Sequence, residues 1–448
     1  MRYIPHTAQD IEAMLKVIGV SSIDALFSPI PKEFRLEKPL NLPSSLSEIE
    51  LKTHVESIAN KNTAHRYQSF LGAGCYRHFV PTVVNYLGSQ GGFLTAYTPY
   101  QPEISQGTLQ TIFEFQTMIA NLTGMEVANA SMYDGASALA EACLMAKRLF
   151  PQKTKILVPQ NIHPEYRDVC KTYLEAQEVE LASIAYHPKT GTIDTSDLER
   201  KIDETSLAVL VQTPNFFGCI EDLEAIQKIC TAHKALLIVA VPEPLSLALL
   251  KSPGESGADI VVGEAQSFGN PPSFGGPHVG FFASRMSFVR SMPGRIVGET
   301  TDSEGKRAFT LTLSTREQHI RREKATSNIC TNQALLATRS TIYLSTLGEK
   351  GLKKLAQWNH SLANTLCEKL KRPLLAAKAK GHFDAPFFNE VVIETQKPLS
   401  EVEKRLKDQK ILGGFSLEKH YPELKNCLLV CTTELNTEEQ IEALCNAL

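Results

Sequence analysis

Short apolar runs with strand character alternate with helical stretches through the middle of the chain, and this alternation constrains the fold most strongly. A predicted helix at 165–176, for example, separates the first two runs. Strands that are apolar on both faces and separated by helices build a mostly parallel sheet with both faces covered. We therefore predict an α/β domain. Its strands are predicted at 156–158, 181–186, 207–212, 236–241, 260–262 and 279–283.

The two ends of the chain have a different pattern. Residues 10–20 and a segment from Ser47 onward are predicted helices, and the four prolines between them favour an extended arm. Beyond residue 333, predicted helices and two predicted strands indicate a smaller α+β domain. We predict an N-terminal arm with helices at 1–75, a large α/β domain at 76–330 and a small C-terminal α+β domain at 331–448.

Composition excludes several classes of protein. The chain has 448 residues, 43% of them hydrophobic, which is enough for two sizeable cores. A net charge of -3 gives no reason to expect binding to nucleic acid or to an anionic membrane. Ten cysteines without a C-x-x-C motif read as reduced thiols, and we predict no metal site. With no signal-peptide core in the first ten residues and no membrane-length apolar run, we expect a cytoplasmic protein.

A glycine-rich stretch at 259–283 is the first candidate site. The strand at 260–262 is followed by a loop that ends in Phe274-Gly275-Gly276-Pro277 and leads into the next strand. Glycines allow backbone to pass close to a bound group, and ligands of α/β sheets bind at strand ends. No lysine occurs between Lys251 and Lys306.

Residues 97–107 form a second candidate segment, rich in tyrosine, glutamine and proline. Pro99 and Pro102 forbid a helix here, so we expect the next helix only from 108 to 122. The segment is either a surface loop or a loop at a subunit interface or ligand mouth, where tyrosine is favoured.

The start of the following helix is a third candidate. Asp134, Gly135 and Ser137 open it, and small residues at a helix start let backbone amides meet a phosphate. Simple N-capping by Asp134 or Ser137 explains the same residues. The charged run at 315–324 is typical of a solvated face.

Taken together, four blocks closely resemble the P-protein of the glycine cleavage system, and specifically the α-subunit type found where that protein is split into two chains. The blocks lie at 97–107, 129–136, 273–277 and 316–328, in the order of that family, and the resemblance covers nearly the whole chain. It implies the type I fold of pyridoxal-phosphate (PLP) dependent transferases and an α2β2 heterotetramer. It also implies that the β subunit carries the PLP lysine, and that the assembly decarboxylates glycine and passes the aminomethyl group to lipoylated H-protein.

The resemblance assigns two groups of residues. Gln266 stands where the lysine is expected, and a carboxamide cannot form an imine. Ala240 stands where an aspartate should pair with the pyridinium nitrogen. A vestigial cofactor pocket would contain Asp134, Gly135, Ser137, Ala240, Gln266 and Ser267. Residues facing the partner's site would be Tyr97 and Tyr100, walling the glycine pocket, with Gln101, Glu103, Gln106, Lys324, Thr326, Ser327 and Asn328 at the interface or near the cofactor phosphate.

Two alternatives remain open at this point. An independent PLP enzyme would need another lysine after a strand end, and the nearest, Lys251, precedes Pro253 instead. A regulatory or scaffolding pseudoenzyme would keep the fold without the chemistry. The basic residues Arg316, His319, Arg321 and Arg322 could meet an acidic H-protein surface or belong to a solvated helix.

Overall fold

Residues 5–36 and 38–448, except for the side chain of His319, are described by the computed structural model. Contacts divide the chain into two units, Met1–Ala64 and His65–Leu448. The strands are, in chain order, β1 (Gln68–Ser69), β2 (Val127–Ala128), β3 (Lys155–Pro159), β4 (Glu180–Ile184), β5 (Ser206–Gln212), β6 (Leu236–Val241), β7 (Ile260–Glu264), β8 (Gly280–Ser284), β9 (Ile296–Thr301), β10 (Arg307–Thr312), β11 (Ala379–Gly381), β12 (Glu390–Thr395), β13 (Ile411–Leu412), β14 (Phe415–Ser416) and β15 (Cys427–Cys431).

Helices occur at all the positions predicted before residue 176, together with several short helices that the sequence did not predict. They are α1 (Ala8–Ile18), α2 (Glu48–Ala59), α3 (Thr82–Gly88), α4 (Gly91–Leu94), α5 (Gln106–Thr123), α6 (Gly135–Leu149), α7 (Pro164–Leu174), α8 (Thr195–Lys201), α9 (Leu223–Ala232), α10 (Gln318–Arg321), α11 (Ala334–Leu370), α12 (Pro373–Ala376), α13 (Leu399–Asp408) and α14 (Glu438–Ala447). Within the described ranges, none of these helices combines the length and apolar character needed to cross a membrane.

The first unit contains α1 and α2, both of which start with a capping box. Thr7 and Asp10 cap α1, and Ser47 and Glu50 cap α2. Each box satisfies otherwise unpaired backbone N–H groups at a helix start. Neither helix buries a residue, so packing contributes little to their stability.

A seven-stranded sheet is the centre of the second unit. Its strand order is β2-β8-β7-β6-β5-β3-β4, with parallel pairing except where β8 meets β7 and β2. Alternate residues of one strand enter different cores: Val209 and Val211 pack on one face, and Ala208 and Leu210 on the other. The predicted mostly parallel sheet with two covered faces is confirmed.

The C-terminal part of this unit has its own antiparallel sheet, ordered β11-β12-β15-β14. Leucines of α11, α13 and α14 pack with Val391 and Val430 of this sheet. The long helix α11 contains a non-helical residue, Gly348, with φ of 61°, so its two halves are joined by a kink. The predicted α+β character is confirmed.

The hairpin of β9 and β10 has no counterpart among the predicted strands. Its strands pair antiparallel, and its turn is closed by Asp302, whose carboxylate accepts from the backbone N–H of Glu304 and Lys306. It packs on α5, where the Phe113 and Phe309 ring centroids lie 5.2 Å apart. The hairpin therefore supports the start of α5, next to residues 97–107.

The expectation that no helical turn occurs before residue 108 is wrong. A single 3-10 turn forms at Pro102–Ile104, and α5 begins at Gln106. Pro102 is tolerated because it lies at the first position of its turn, where its missing N–H costs no hydrogen bond.

Candidate functional site

Gln266, just beyond the end of β7, is fully engaged by the chain itself. Its Oε1 accepts from the Tyr76 backbone N–H at 3.0 Å, and its Nε2 donates to the Tyr76 carbonyl at 2.9 Å. Nε2 also donates to the Asn270 carbonyl. The side chain is buried, and this two-way pairing fastens the segment around Tyr76 to the end of the sheet. The position that would carry a cofactor lysine has a structural role.

Glu264 is the last residue of β7, and its buried side chain lies beside the start of α6. Its Oε2 accepts from the Gly135 N–H at 3.1 Å, and its Oε1 accepts from the N–H groups of Val279 and Gln266 at 3.0 and 3.1 Å. Burial raises the pKa of Glu264 to about 8, although these N–H donors favour the charged form. The amide that a phosphate would need is therefore already hydrogen-bonded.

The remaining space at this helix start is also taken. Asp134 caps α6 by accepting from the Ser137 N–H at 2.7 Å. A Cβ placed on Gly135 would lie 2.2 Å from the Tyr166 hydroxyl, so the Tyr166 ring packs directly on the backbone there. N-capping, rather than an open anion site, describes the Asp134–Ser137 segment.

Behind Gln266 lies a buried ionic cluster. His78 stands between Glu243, at 3.1 Å from Nε2, and Glu434, at 2.9 Å from Nδ1. Burial disfavours the imidazolium, but the two carboxylates outweigh it and raise the pKa of His78 to about 10. Ser267 Oγ donates to Glu243 at 3.2 Å, so this residue of the expected pocket belongs to the cluster.

The expected cofactor does not fit this pocket. Gln266 has no amine, and Ala240 lies in β6 without a polar side-chain atom. The helix-start amide of Gly135 is bonded to Glu264, and the nearby side chain of Asp134 is an acid that would oppose a phosphate dianion. The pocket lacks the imine-forming group and the ring partner, and the Gly135 amide at its helix start is already hydrogen-bonded.

The 97–106 segment is different, because its outer side is open. Tyr97 is 79% exposed and Tyr100 is 49% exposed, and Gln101 and Glu103 are also exposed. Large apolar side chains cluster in this part of the sequence; those exposed between residues 86 and 104 are Tyr86, Leu87, Leu94, Tyr97, Tyr100 and Ile104. Such a density of exposed apolar groups is typical of a protein contact surface.

Gln106 is used within the chain. Its Nε2 donates to the carbonyls of Phe309, at 2.9 Å, and Pro102, at 2.7 Å, and its Oε1 accepts from the Phe309 N–H at 2.8 Å. The side chain joins the start of α5 to β10. Its amide therefore holds the segment in place from inside.

The inner side of the 97–106 segment meets a buried arginine, Arg295. Its Nη2 donates to the Tyr100 hydroxyl at 2.8 Å, its Nη1 reaches Thr98 Oγ1 at 3.4 Å, and its Nε pairs with Glu317 at 3.2 Å. Glu317 belongs to the segment that leads to Lys324, and the Thr326 N–H donates to the Arg316 carbonyl at 2.9 Å. The two blocks expected to face the partner are thus connected through Arg295.

The other residues predicted at the interface follow Glu317 in the sequence. Lys324 and Asn328 are exposed, and Thr326 and Ser327 are half-buried. Ser327 Oγ accepts from the Ile329 N–H at 3.0 Å, which shapes the loop behind Lys324.

The prediction of a solvated charged face is wrong for part of the 315–324 run. Arg316 is buried and donates to the carbonyls of Met292, Gly294 and Leu313, and Glu317 is buried beside it. Those bonds anchor the residues before β9, so Arg316 cannot belong to an exposed basic patch. Arg321 and Arg322 are exposed, and the His319 side chain lies outside the described part of the chain.

The sequence reasoning missed Arg295, the residue that organises the open site. The β-branched residues before Asp302-Ser303-Glu304-Gly305 and the alternating residues after it would have predicted the β9–β10 hairpin. A lone arginine before such a strand gives no signal of its own.

Comparison with solved structures defines the class of protein. The chain aligns with a sphingosine-1-phosphate lyase from Burkholderia pseudomallei at a TM-score of 0.67 and 13% identity, covering 93% of this chain and 92% of that one. A cysteine desulfurase from Thermococcus onnurineus aligns at a TM-score of 0.62 and 16% identity, covering 90% and 98%. These similarities concern the fold alone. The chain has the type I fold of PLP-dependent transferases.

The family follows from closer relatives. A model of the glycine cleavage system P-protein family matches residues 1–448, and the chain belongs to that family. It is 51% identical over 449 residues to a probable glycine dehydrogenase (decarboxylating) subunit 1 of Carboxydothermus hydrogenoformans, covering 100% of this chain and 99% of that one. A solved inhibitor-bound glycine decarboxylase (P-protein) is 44% identical, with a TM-score of 0.90 and coverage of 100% and 99%.

Proposed function

We propose that this chain is the α subunit of a glycine dehydrogenase (decarboxylating), and that it completes the active site of a lysine-bearing β subunit. The assembly is a cytoplasmic α2β2 heterotetramer that decarboxylates glycine and transfers the aminomethyl group to lipoylated H-protein. PLP is bound covalently by the β subunit and not by this chain. Within the chain we propose an arm at 1–75, a large domain at 76–330 and a small domain at 331–448.

The observation that carries this proposal is the pairing of Gln266 with the Tyr76 backbone. At the strand end where a cofactor lysine is expected, a buried carboxamide makes hydrogen bonds in both directions. This chain has no lysine at its own cofactor position, but its segment at 97–106 is exposed on its outer side. Both features fit a role in the active site of another subunit. The names of its relatives, as subunit 1, agree with that role.

In this role the chain supplies binding surface rather than a covalent group. The exposed faces of Tyr97 and Tyr100 wall the glycine pocket, where their rings exclude water from the reacting group. Lys324 is an exposed cation suited to the cofactor phosphate of the partner. Gln101, Glu103, Thr326, Ser327 and Asn328 complete the contact.

Separate purification of this chain and its lysine-bearing partner tests the proposal. With lipoylated H-protein present, we expect neither glycine decarboxylation nor exchange of the glycine carboxyl with bicarbonate from this chain alone, and both from the mixture. Activity of the isolated chain would overturn the proposal. Full activity of the partner alone, merely modulated by this chain, would favour a regulatory pseudoenzyme.

A further inference from the structure

We propose that Arg295 is a positioning residue for the shared site, because it fixes Tyr100 and the 97–106 segment from behind. This inference rests on the proposed function and deepens it. Arg295 itself does not contact the reacting groups. It acts through Tyr100, whose ring is offered to the partner.

The guanidinium is suited to this role by its geometry. Its three nitrogens engage three different side chains, those of Tyr100, Thr98 and Glu317. The Tyr100 ring also lies under the guanidinium, with 5.2 Å between Cζ and the ring centroid. A planar fork that both donates and stacks fixes the hydroxyl and the ring plane together, which the single ammonium of a lysine cannot do.

The arginine is itself held rigidly. Its carbonyl accepts from the Ala130 N–H at 2.8 Å, and the preceding Gly294 has a φ of 74°. Asn129 donates to the Pro293 carbonyl at 3.1 Å, and Arg316 donates to the carbonyls of Met292 and Gly294. The 292–295 segment is therefore fastened on two sides before it presents Arg295.

Burial strengthens the hydrogen bonds and the ion pair of Arg295. Arg295 is only 3% exposed, and Glu317 balances its charge at 3.2 Å. Hydrogen bonds to a buried charged group are stronger than those at the surface, since water does not compete for the donors. The inner side of Tyr100 is thereby fixed while about half of its surface stays open. A loop fixed in this way before association loses less entropy when the partner docks.

Arg307, at the start of β10, provides a matched control close to Arg295 in the chain. It also pairs with a glutamate, Glu299 at 2.8 Å, and also lies over an aromatic ring, that of Phe309 at 4.9 Å. Unlike Arg295, its side chain is 60% exposed, and its partners lie within the hairpin. A substitution of Arg307 removes the same chemistry and leaves in place the hydrogen bonds between the Phe309 backbone and Gln106.

The test compares R295M, R295K and R307M in the complex with the lysine-bearing partner. The first readout is amide hydrogen exchange, in which R295M should speed exchange of residues 97–105 and R307M should leave it unchanged. The second is steady-state kinetics. R295M should lower kcat/KM for glycine by about ten- to a hundredfold, because small misplacements of positioning groups have effects of that size. R295K should recover part of this loss.

A double substitution separates positioning from general loss of stability. If Arg295 acts through Tyr100, the kinetic loss in R295M combined with Y100F should be no larger than in R295M alone. Additive losses, or kinetics of R295M and R295K equal to those of R307M, would overturn the inference. If the unaltered complex has no activity, the proposed function fails. Unchanged exchange of residues 97–105 in R295M would then separately refute the idea that Arg295 holds the segment.

Discussion

The pocket around Gln266 and the segment around Tyr100 satisfy their polar groups in opposite ways. In the pocket, the side chains of Gln266 and Glu264 bond to backbone groups of the chain itself, including those of Tyr76 and Gly135. In the 97–106 segment, Arg295 and Gln106 bind the inner side only, and the tyrosine rings stay exposed. One region is closed by its own side chains, and the other is braced from behind and left open.

This difference indicates which region of the chain is available for a functional role. Buried polar groups without partners cost free energy, so a pocket that has lost its ligand is stable only when its groups bond to one another. An exposed apolar segment costs solubility, and is retained where a partner covers it. Substitutions in the closed region should therefore change stability first, and those in the open region should change activity first.

The largest effect is expected from His78→Leu in the closed region. The change leaves Glu243 and Glu434 buried without their shared cation, and breaking a buried ion pair in this way costs about 3–5 kcal/mol. Urea unfolding of the full chain measures the loss. Lys251→Met is the control, since its pair with Glu224 is solvent-exposed and its loss should leave the free energy of unfolding almost unchanged. If the two variants lost the same free energy of unfolding, the buried cluster would contribute no more to stability than an exposed ion pair.

The raised pKa of His78 predicts that the stability of the protein depends on pH. The folded pKa of His78 is raised to about 10, above the ordinary value of 6.5. A raised pKa means that the folded protein binds the proton more tightly, so the stabilisation is complete below about pH 6.5 and is lost as the pH rises through 10. Unfolding free energies measured between pH 6 and 10 should fall more steeply for the native chain than for His78→Leu. Parallel profiles would contradict the assignment.

Gln266→Met should have the next largest effect. Methionine has a similar length but leaves the Tyr76 N–H and the Tyr76 carbonyl unpaired in a buried site, at a cost of about 2–4 kcal/mol. Glycine decarboxylation by the assembled complex should persist at temperatures where the variant is folded. Gln110→Met, at an exposed glutamine, serves as the control for the substitution itself. A complex that assembles normally but cannot decarboxylate glycine would assign Gln266 a direct role.

The smallest change in stability is expected from Tyr97→Ala in the open segment. A residue that is 79% exposed should alter the unfolding free energy by no more than about 0.5 kcal/mol. The kcat/KM of the complex for glycine should nevertheless fall several-fold, because the ring would no longer wall the pocket. Leu374→Ala, at a residue 84% exposed on α12, should change neither quantity. Unaltered kinetics in the tyrosine variant would remove Tyr97 from the shared site.

Local patterns predicted the sheet and most helices well. The buried strands β5 and β6 are continuous apolar runs, and capping residues such as Ser47 mark helix starts directly. The β9–β10 hairpin has a comparable signal in the β-branched residues before Asp302 and the alternating residues after Gly305, so local patterns are sufficient to predict it as well.

Local sequence patterns could not predict the contacts that define the site. Tyr76 and Gln266 are 190 positions apart, and His78 meets Glu434 across 356 positions. Nothing in the local composition links such pairs, since they depend on how the sheet and the C-terminal part fold together. The resemblance supplied Gln266 as a missing lysine, and only the structure shows what its carboxamide does instead.

The most direct test of the central claim is reduction of the purified complex with borohydride in the presence of PLP, followed by peptide mass spectrometry. A closed pocket without an amine predicts no pyridoxyl-lysine at a defined position of this chain, and a single modified lysine on the partner subunit. A stoichiometric adduct on one specific lysine of this chain would contradict that claim, and would require the chain to be treated as a PLP enzyme in its own right.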